Sequence, residues 1–295
     1  MTPPQRRPPR RTPRSVVYRR RLAALGVLGA GFVVAWFAVG SIGGGGSKPK
    51  PTVPLPPRPF RVVFPEGFTR EQMAARVATV AKIAQHERGK KPKLDAAKYL
   101  AATSHPRRVP GFGSRRLPLE GFLFPATYDF TVRTTSAQLA GKQLQAFRRE
   151  WAKVNLGYAQ SKNLTRYDVL TIASMVEAET AAPEERQLVA AVIYNRLHLR
   201  MPLGIDATLR YGLHIPPTES IHQSQLDTPS PYNTSKKPGL PPTPIANPGL
   251  ASLQAAAHPA HVDYIYFVRK PDKVHHFFTA SFAAFERYKA AHGYR

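Results

Sequence analysis

The amino-acid sequence predicts an α+β fold, and three observations carry that reading. Short strand-like segments and longer helical periodicities are interspersed without a repeating strand–helix–strand rhythm. Helix-opening pairs recur, Thr69 with Gln72 and Thr165 with Asp168, each marking where a helix begins. One long uncharged stretch, residues 22–39, stands apart from the rest near the N-terminus.

That stretch, "LAALGVLGAGFVVAWFAV", extended by Gly40, Ser41 and Ile42, is long enough as a helix to span the ~30 Å hydrocarbon core of a bilayer. It exceeds the apolar region of a cleaved signal peptide, and no clear cleavage site follows it. Eight arginines precede it: Arg6, Arg7, Arg10, Arg11, Arg14, Arg19, Arg20 and Arg21. Positive charge stays on the cytoplasmic side. The expectation is a single-pass protein of the cell membrane with a disordered basic tail (1–21) in the cytoplasm, a transmembrane helix (22–42) in contact with membrane lipid, and everything beyond outside. Residues 43–59, "GGGGSKPKPTVPLPPRP", form a linker that turns from flexible to stiff.

The 295 residues carry a net charge of +25, and no acidic residue precedes Glu66. Much of the excess therefore sits in the tail beside the membrane, which removes most of the case for a nucleic-acid partner. The rest is still basic, as suits an anionic polymer such as cell wall. Cysteine is absent, which excludes disulfides and thiolate metal sites.

Beyond the linker the elements follow in order. Residues 60–64 read as a strand, closed by the turn "PEG". Thr69 and Gln72 open a helix in which Met73, Val77, Val80, Ala81 and Ala84 recur at helical spacing. "KLDAAKYLAATS" reads as a second short helix, and "EGFLFPATYDF" (120–130) as short strands and turns. A helix over 136–155 turns Leu139, Leu144, Phe147, Trp151 and Val154 inward. Thr165 and Asp168 open the next helix, and Pro183 with Glu184 and Glu185 the one after it. Residues 202–246 are proline-rich with little periodicity and read as an ordered binding loop. Asn247 and Pro248 cap a short helix to Ala257. "DYIYFV" and "HHFF" read as strands, and Thr279 opens the last helix.

The helix opened by Thr165 ends in "TIASMVEAET". At about 100° per residue, Glu179 lies roughly 70° and Glu177 roughly 90° from the centre of its apolar face, on opposite sides. Spacing alone favours two solvated carboxylates, paired with Arg196 or Lys162. Partial burial of either would raise its pKa toward what a general acid needs. The clusters "HPAH" (His258, His261) and "HH" (His275, His276) lack a third ligand, so no metal is expected, and His258 reads as a helix C-cap. No G-x-S-x-G, G-x-G-x-x-G or Walker loop occurs, so neither a serine triad nor a nucleotide cofactor has a warrant. "TPSPYNT" (228–234) and "GLPPTPIANPG" (239–249) are dense in turn residues. They read either as a rigid structural loop or as a groove rim, in which Tyr232 stacks on a sugar and Asn233 and Thr234 bond hydroxyl and acetamido groups.

These segments, in the order "EGFLFPATY", "ASMVEAET", "VAAVIYNRL", "MPLGIDATLRYG", "LDTPSPYNT", "GLPPTPIANPG", "AAAHPAHVDYIYFV" and "HFFTASFAAF", resemble the YceG-like, or MltG-type, family of endolytic murein transglycosylases. The resemblance runs from about residue 60 to the end and is strongest over 164–282. It implies a single N-terminal anchor, a small LysM-like and connecting region (60–163) and a catalytic domain (164–295). It implies an enzyme that cuts peptidoglycan strands internally, between N-acetylmuramic acid and N-acetylglucosamine, leaving a 1,6-anhydro-muramyl end. It places the catalytic acid at Glu179, with Glu177 in support. Asp206, Tyr232, Asn233, Thr234, Asn247 and His258 match recurrent family positions and are taken as substrate-binding. Synthase partners such as penicillin-binding proteins are implied too. The linker runs directly into the "PEG" segment, so the LysM-like part is expected to be minimal.

Glycosidases generally need two carboxylates about the bond. A lytic transglycosylase can use one, because the attacking group is the substrate's own C6 hydroxyl. The competing readings are a hydrolytic muramidase and a non-catalytic wall-binding scaffold of the synthesis machinery.

Overall fold

The computed structural model describes residues 59–216 and 218–294. The expected tail, the expected span and all but the last residue of the linker lie outside the described residues. Among the described residues no helix is long and apolar enough to cross a membrane. Arg58–Arg295 form one compact unit.

The chain begins with β1 (Phe60–Val63), followed by α1 (Arg70–Arg88), α2 (Ala96–Ser104), a small ribbon of β2 (Arg107–Arg108) and β3 (Arg116–Leu117), and β4 (Thr127–Phe130). β4 returns antiparallel beside β1, Phe60 opposite Phe130 and Val63 opposite Thr127. Thr69 and Gln72 form the expected reciprocal capping box of α1, and Gly89 ends that helix at φ 63°, where a residue with Cβ is strained. Phe64 stacks on Tyr99 of α2, which ties sheet and helix together.

α3 (Ser136–Trp151) opens on a capping box of Thr135 and Gln138. It stops at Trp151 rather than at 155. Lys153 and Val154 donate to the carbonyls of Glu150 and Trp151 in a tightened three-residue turn. Phe112, Phe122, Phe147 and Trp151 meet in an aromatic cluster with ring centroids 4.9–5.8 Å apart. After α4 (Gly157–Ser161) comes α5 (Arg166–Glu179), opened by the expected Thr165–Asp168 box.

α5 is the central helix. The wheel predicts one apolar face, but every residue from 169 to 176 is buried. The polar ones can be, because Thr171 Oγ1 donates to the Tyr167 carbonyl, and Ser174 Oγ donates to Thr171 and accepts from Ile245 N–H. A turn of 3₁₀ helix (Pro183–Glu185) leads into α6 (Arg186–His198). The segment expected to be loop, 202–246, contains α7 (Asp206–Leu213) and the single turn α8 (Gln223–Leu226). Eight residues make barely two turns, too few to show a period, and Thr208 and Leu209 are what anchor α7.

α9 (Leu250–Ala257) packs on α5 and α6. Its N-cap is Gly249, not Asn247. The carboxamide of Asn247 is committed elsewhere, to Leu123, Phe68 and Glu120. The two expected strands appear as β5 (Tyr266–Arg269) and β6 (His276–Thr279), and they pair antiparallel with Arg269 opposite His276. Ser281, not Thr279, caps α10 (Phe282–Ala291); its Oγ accepts from Ala284 N–H, while Thr279 ends the strand.

Candidate active site

The two glutamates at the end of α5 part company. Glu177 turns toward α9, where its Oε2 accepts the Gly249 N–H at 3.0 Å. Glu66 lies on the same spot, so close that a Cβ on Gly249 would collide with its carboxylate. Burial, then the charge of Glu177, pushes the Glu66 carboxyl upward, and Arg186 opposes them. Glu177 thus joins the "PEG" turn to the start of α9. Neither glutamate pairs with Arg196 or Lys162; Arg196 instead donates to the carbonyls of Ile265 and Leu203.

Glu179 turns the other way, into a cavity of about 570 Å³ between α5, α7 and the β5–β6 hairpin. Asp206, Arg210, Arg269 and His276 line the same cavity. Burial raises the Glu179 carboxyl, and the charge of Asp206 raises it further. The Ala207 N–H at the start of α7, and the guanidinium groups of Arg269 and Arg210, pull the other way. The C-terminal end of α5 is itself partially negative, which also disfavours a charge there. The carboxyl is therefore held toward its protonated form beside open space, as a proton donor requires.

The proline-rich segment sets the start of α7. Ile205 N–H donates to Thr234 Oγ1 at 3.1 Å, Gly204 N–H to the Thr234 carbonyl, and the hydroxyls of Thr208 and Thr234 lie 2.9 Å apart. Thr234 is buried and holds Asp206 in place from behind. Asn233 is 1% exposed, its Nδ2 donating to the carbonyls of Leu226 and Thr228. Tyr232 faces a second cavity of about 580 Å³ on the other side of α7. Its ring packs on Gly212, where any Cβ would overlap it, and its hydroxyl pairs with Thr243.

The second cavity holds a carboxyl that the sequence analysis did not single out. Glu120 is 2% exposed. It accepts from Arg70 N–H, Tyr211 Oη and Asn247 Nδ2, with the Arg70 guanidinium 3.6 Å away. Burial pushes it up to about 7 against the pull of Arg70 and these donors. Asn247, fully buried, also accepts Leu123 N–H and donates to the Phe68 carbonyl. Glu120 and Asn247 together join residues near 68, 120, 211 and 247.

Of the residues expected at the site, the structure brings Glu179 and Asp206 into one cavity. Tyr232 lies in the neighbouring one. Glu177, Asn233, Thr234 and Asn247 are engaged in hydrogen bonds within the protein. His258 is exposed at the C-cap of α9, as expected of a cap, with its ring 6.5 Å from Tyr158. Arg210, Arg269 and His276, which complete the Glu179 cavity, carry no local motif; only the tertiary fold assembles them.

The model of the YceG-like family matches residues 50–291. The chain is 39% identical over 155 residues to the endolytic murein transglycosylase of Bacillus subtilis (strain 168), covering 52% of this chain and 42% of that protein. It is 34% identical over 230 residues to the protein of the same name from Streptococcus pneumoniae (strain ATCC BAA-255 / R6), covering 70% of this chain and 40% of that one. The matches thus span about two fifths of the length of these curated relatives. A crystal structure of a YceG-like protein from Listeria monocytogenes superposes with a TM-score of 0.65 at 29% identity, covering 79% of this chain and 77% of that one. Because that match covers most of this chain, the chain belongs to the YceG-like family.

Proposed function

We propose that this protein is an endolytic lytic transglycosylase of peptidoglycan, cutting the bond between N-acetylmuramic acid and N-acetylglucosamine within strands and so limiting their length. The observation that carries the reading is Glu179, a carboxyl with a raised pKa beside a cavity of about 570 Å³ that it shares with Asp206, Arg210 and Arg269. The names of the B. subtilis and S. pneumoniae relatives support the reaction class.

In this reading Glu179 protonates the glycosidic oxygen as the bond to C1 breaks. The substrate's C6 hydroxyl closes on C1, and its proton returns the Glu179 carboxylate to the acid form. Arg210 and Arg269 suit the acidic lactyl-peptide arm of the muramyl unit. Asp206 keeps Glu179 protonated, while Thr234, Asn233 and Asn247 act from behind by fixing the walls. Tyr232, in the adjoining cavity, is placed for a neighbouring sugar. The β1–α1–α2–β4 unit, a two-stranded sheet with two helices, is consistent with a minimal LysM-like region. Residues 22–42 anchor the chain in the cell membrane with the catalytic part outside, near peptidoglycan synthases of the penicillin-binding class.

A hydrolytic muramidase is the second reading, favoured by one observation: Asp206 is a second carboxylate near Glu179 and has the chemistry to activate water. Mass spectrometry of the products of the full-length protein on purified peptidoglycan separates the two. The transglycosylase leaves 1,6-anhydro ends, about 18 Da lighter than the reducing ends that hydrolysis leaves, because no water is added. Reducing ends alone would overturn the proposal, and no cleavage at all would leave a wall-binding scaffold.

A further inference from the structure

A carboxylate–imidazole pair stands at the wall of the Glu179 cavity, with His276 in its lining. Glu185, 6% exposed, and His276, 4% exposed, are paired across the molecule. The Glu185 carboxylate accepts the His276 backbone N–H at 2.9 and 3.1 Å, and its Oε2 lies 2.7 Å from His276 Nδ1. An ionised carboxylate can only accept, so Nδ1 carries the hydrogen. In the neutral ring this leaves the lone pair on Nε2. Among the described residues Nε2 has no hydrogen-bond partner. The rings of Phe267 and Phe278 meet the imidazole at 81° and 62° and hold its plane. His276 is among the residues lining the cavity of Glu179, alongside Arg269, its cross-strand partner.

Such a carboxylate–imidazole pair, with one nitrogen oriented and the other unpartnered on a residue that lines a cavity, is the arrangement by which a histidine serves as a general base. We propose that His276 is a catalytic base that takes the proton of the muramyl C6 hydroxyl, and that Glu185 is its positioning residue. The step balances. The glycosidic oxygen takes the proton of Glu179 as its bond to C1 breaks; the O6–H proton then moves to Nε2 as O6 bonds the electron-deficient C1. After product leaves, the imidazolium and the carboxylate exchange protons with water and are reset. The proposal rests on the transglycosylase reading and changes one part of it: the work of acid and base is divided between two groups.

The test is steady-state turnover and product mass for full-length H276N, H276Q and E185Q on purified glycan strands. Asparagine retains a polar group near Nδ1 for Glu185 and removes Nε2. The expected result is a folded H276N with kcat down about 10²-fold, KM little changed and a rising share of hydrolysed ends as water replaces the unactivated hydroxyl. E185Q loses less, and adding it to H276N costs nothing more, because Glu185 acts only through His276. Anhydro product at the wild-type rate from a folded H276N, or from H276Q should H276N fail to fold, overturns the proposal. Wild-type protein that makes no anhydro product overturns the transglycosylase reading instead, which keeps the two failures distinct.

Discussion

Two glutamates on either side of α7 invite comparison, Glu120 buried and Glu179 half-buried. Glu120 and Glu179 both have carboxyls raised above the ordinary range, each mainly by burial. Glu120 is surrounded by the Arg70 N–H and guanidinium, Tyr211 and Asn247. Glu179 has the Ala207 N–H, a like charge in Asp206 and an open cavity. A perturbed carboxyl is therefore not in itself a catalytic one. Glu120 has spent its lone pairs on the protein and works as a latch, whereas Glu179 retains the means to act on a substrate.

The comparison breaks most sharply at Glu179→Gln. Removing the acid is expected to lower turnover on peptidoglycan by about 10²–10⁴-fold while leaving thermal unfolding near that of the wild type. In the wild type the acid form is lost as pH rises through the raised Glu179 value, so the rate should fall on that side. Near-normal activity in the variant would remove Glu179 from the reaction.

On the latch side, Asn247→Ala strips Leu123 N–H and Glu120 of a buried partner. At about 1–3 kcal/mol for each group left unsatisfied, a loss of about 3 kcal/mol in denaturant unfolding is expected. A loss below about 1 kcal/mol would mean that water or a shifted neighbour replaces the carboxamide.

Glu120→Gln sharpens the contrast through pH. The folded state holds the Glu120 proton up to about 7 against an ordinary value of 4.5. A raised carboxyl contributes stability fully below about 4.5 and loses it as pH climbs through about 7. The group alone makes the protein less stable toward high pH, by at most about 3 kcal/mol. The slope of melting temperature against pH between those values should flatten in the variant; an unchanged slope would show that Glu120 does not carry it.

Glu177→Gln should have the smallest effect. It weakens a charge-assisted bond to Gly249 N–H, worth about 1–2 kcal/mol of stability. Its effect on turnover should stay well short of the about 10²-fold of a lost acid. If it proves more damaging to activity than Glu179→Gln, the roles of the two glutamates must be exchanged.

Most of the fold was legible because its elements are locally signalled. The boxes at Thr69 and Thr165 lie where their residues place them, and the last two strands lie within three residues of where theirs do. Asn247 and Thr279 carry capping residue types without capping a helix, because Asn247 is engaged at long range and Thr279 ends β6. α7 leaves no signal in the sequence, because two turns carry no period. In the site, Glu179 and Asp206 came from motif resemblance, while the wheel showed only that Glu177 and Glu179 leave the apolar face in opposite directions. That divergence is the local fact from which the separate partners of the two carboxylates follow.

The residues alone were enough for the α+β class, the helix carrying both glutamates and the order of motifs around it, since capping, periodicity and spacing act over a few neighbours. Which carboxyl meets open space, which is latched, and that His276 and Glu185 stand beside Glu179's cavity were decided only by packing. Burial and hydrogen bonding between residues some 90 positions apart, as between Glu185 and His276, are properties of the folded chain. No local pattern in the sequence encodes them.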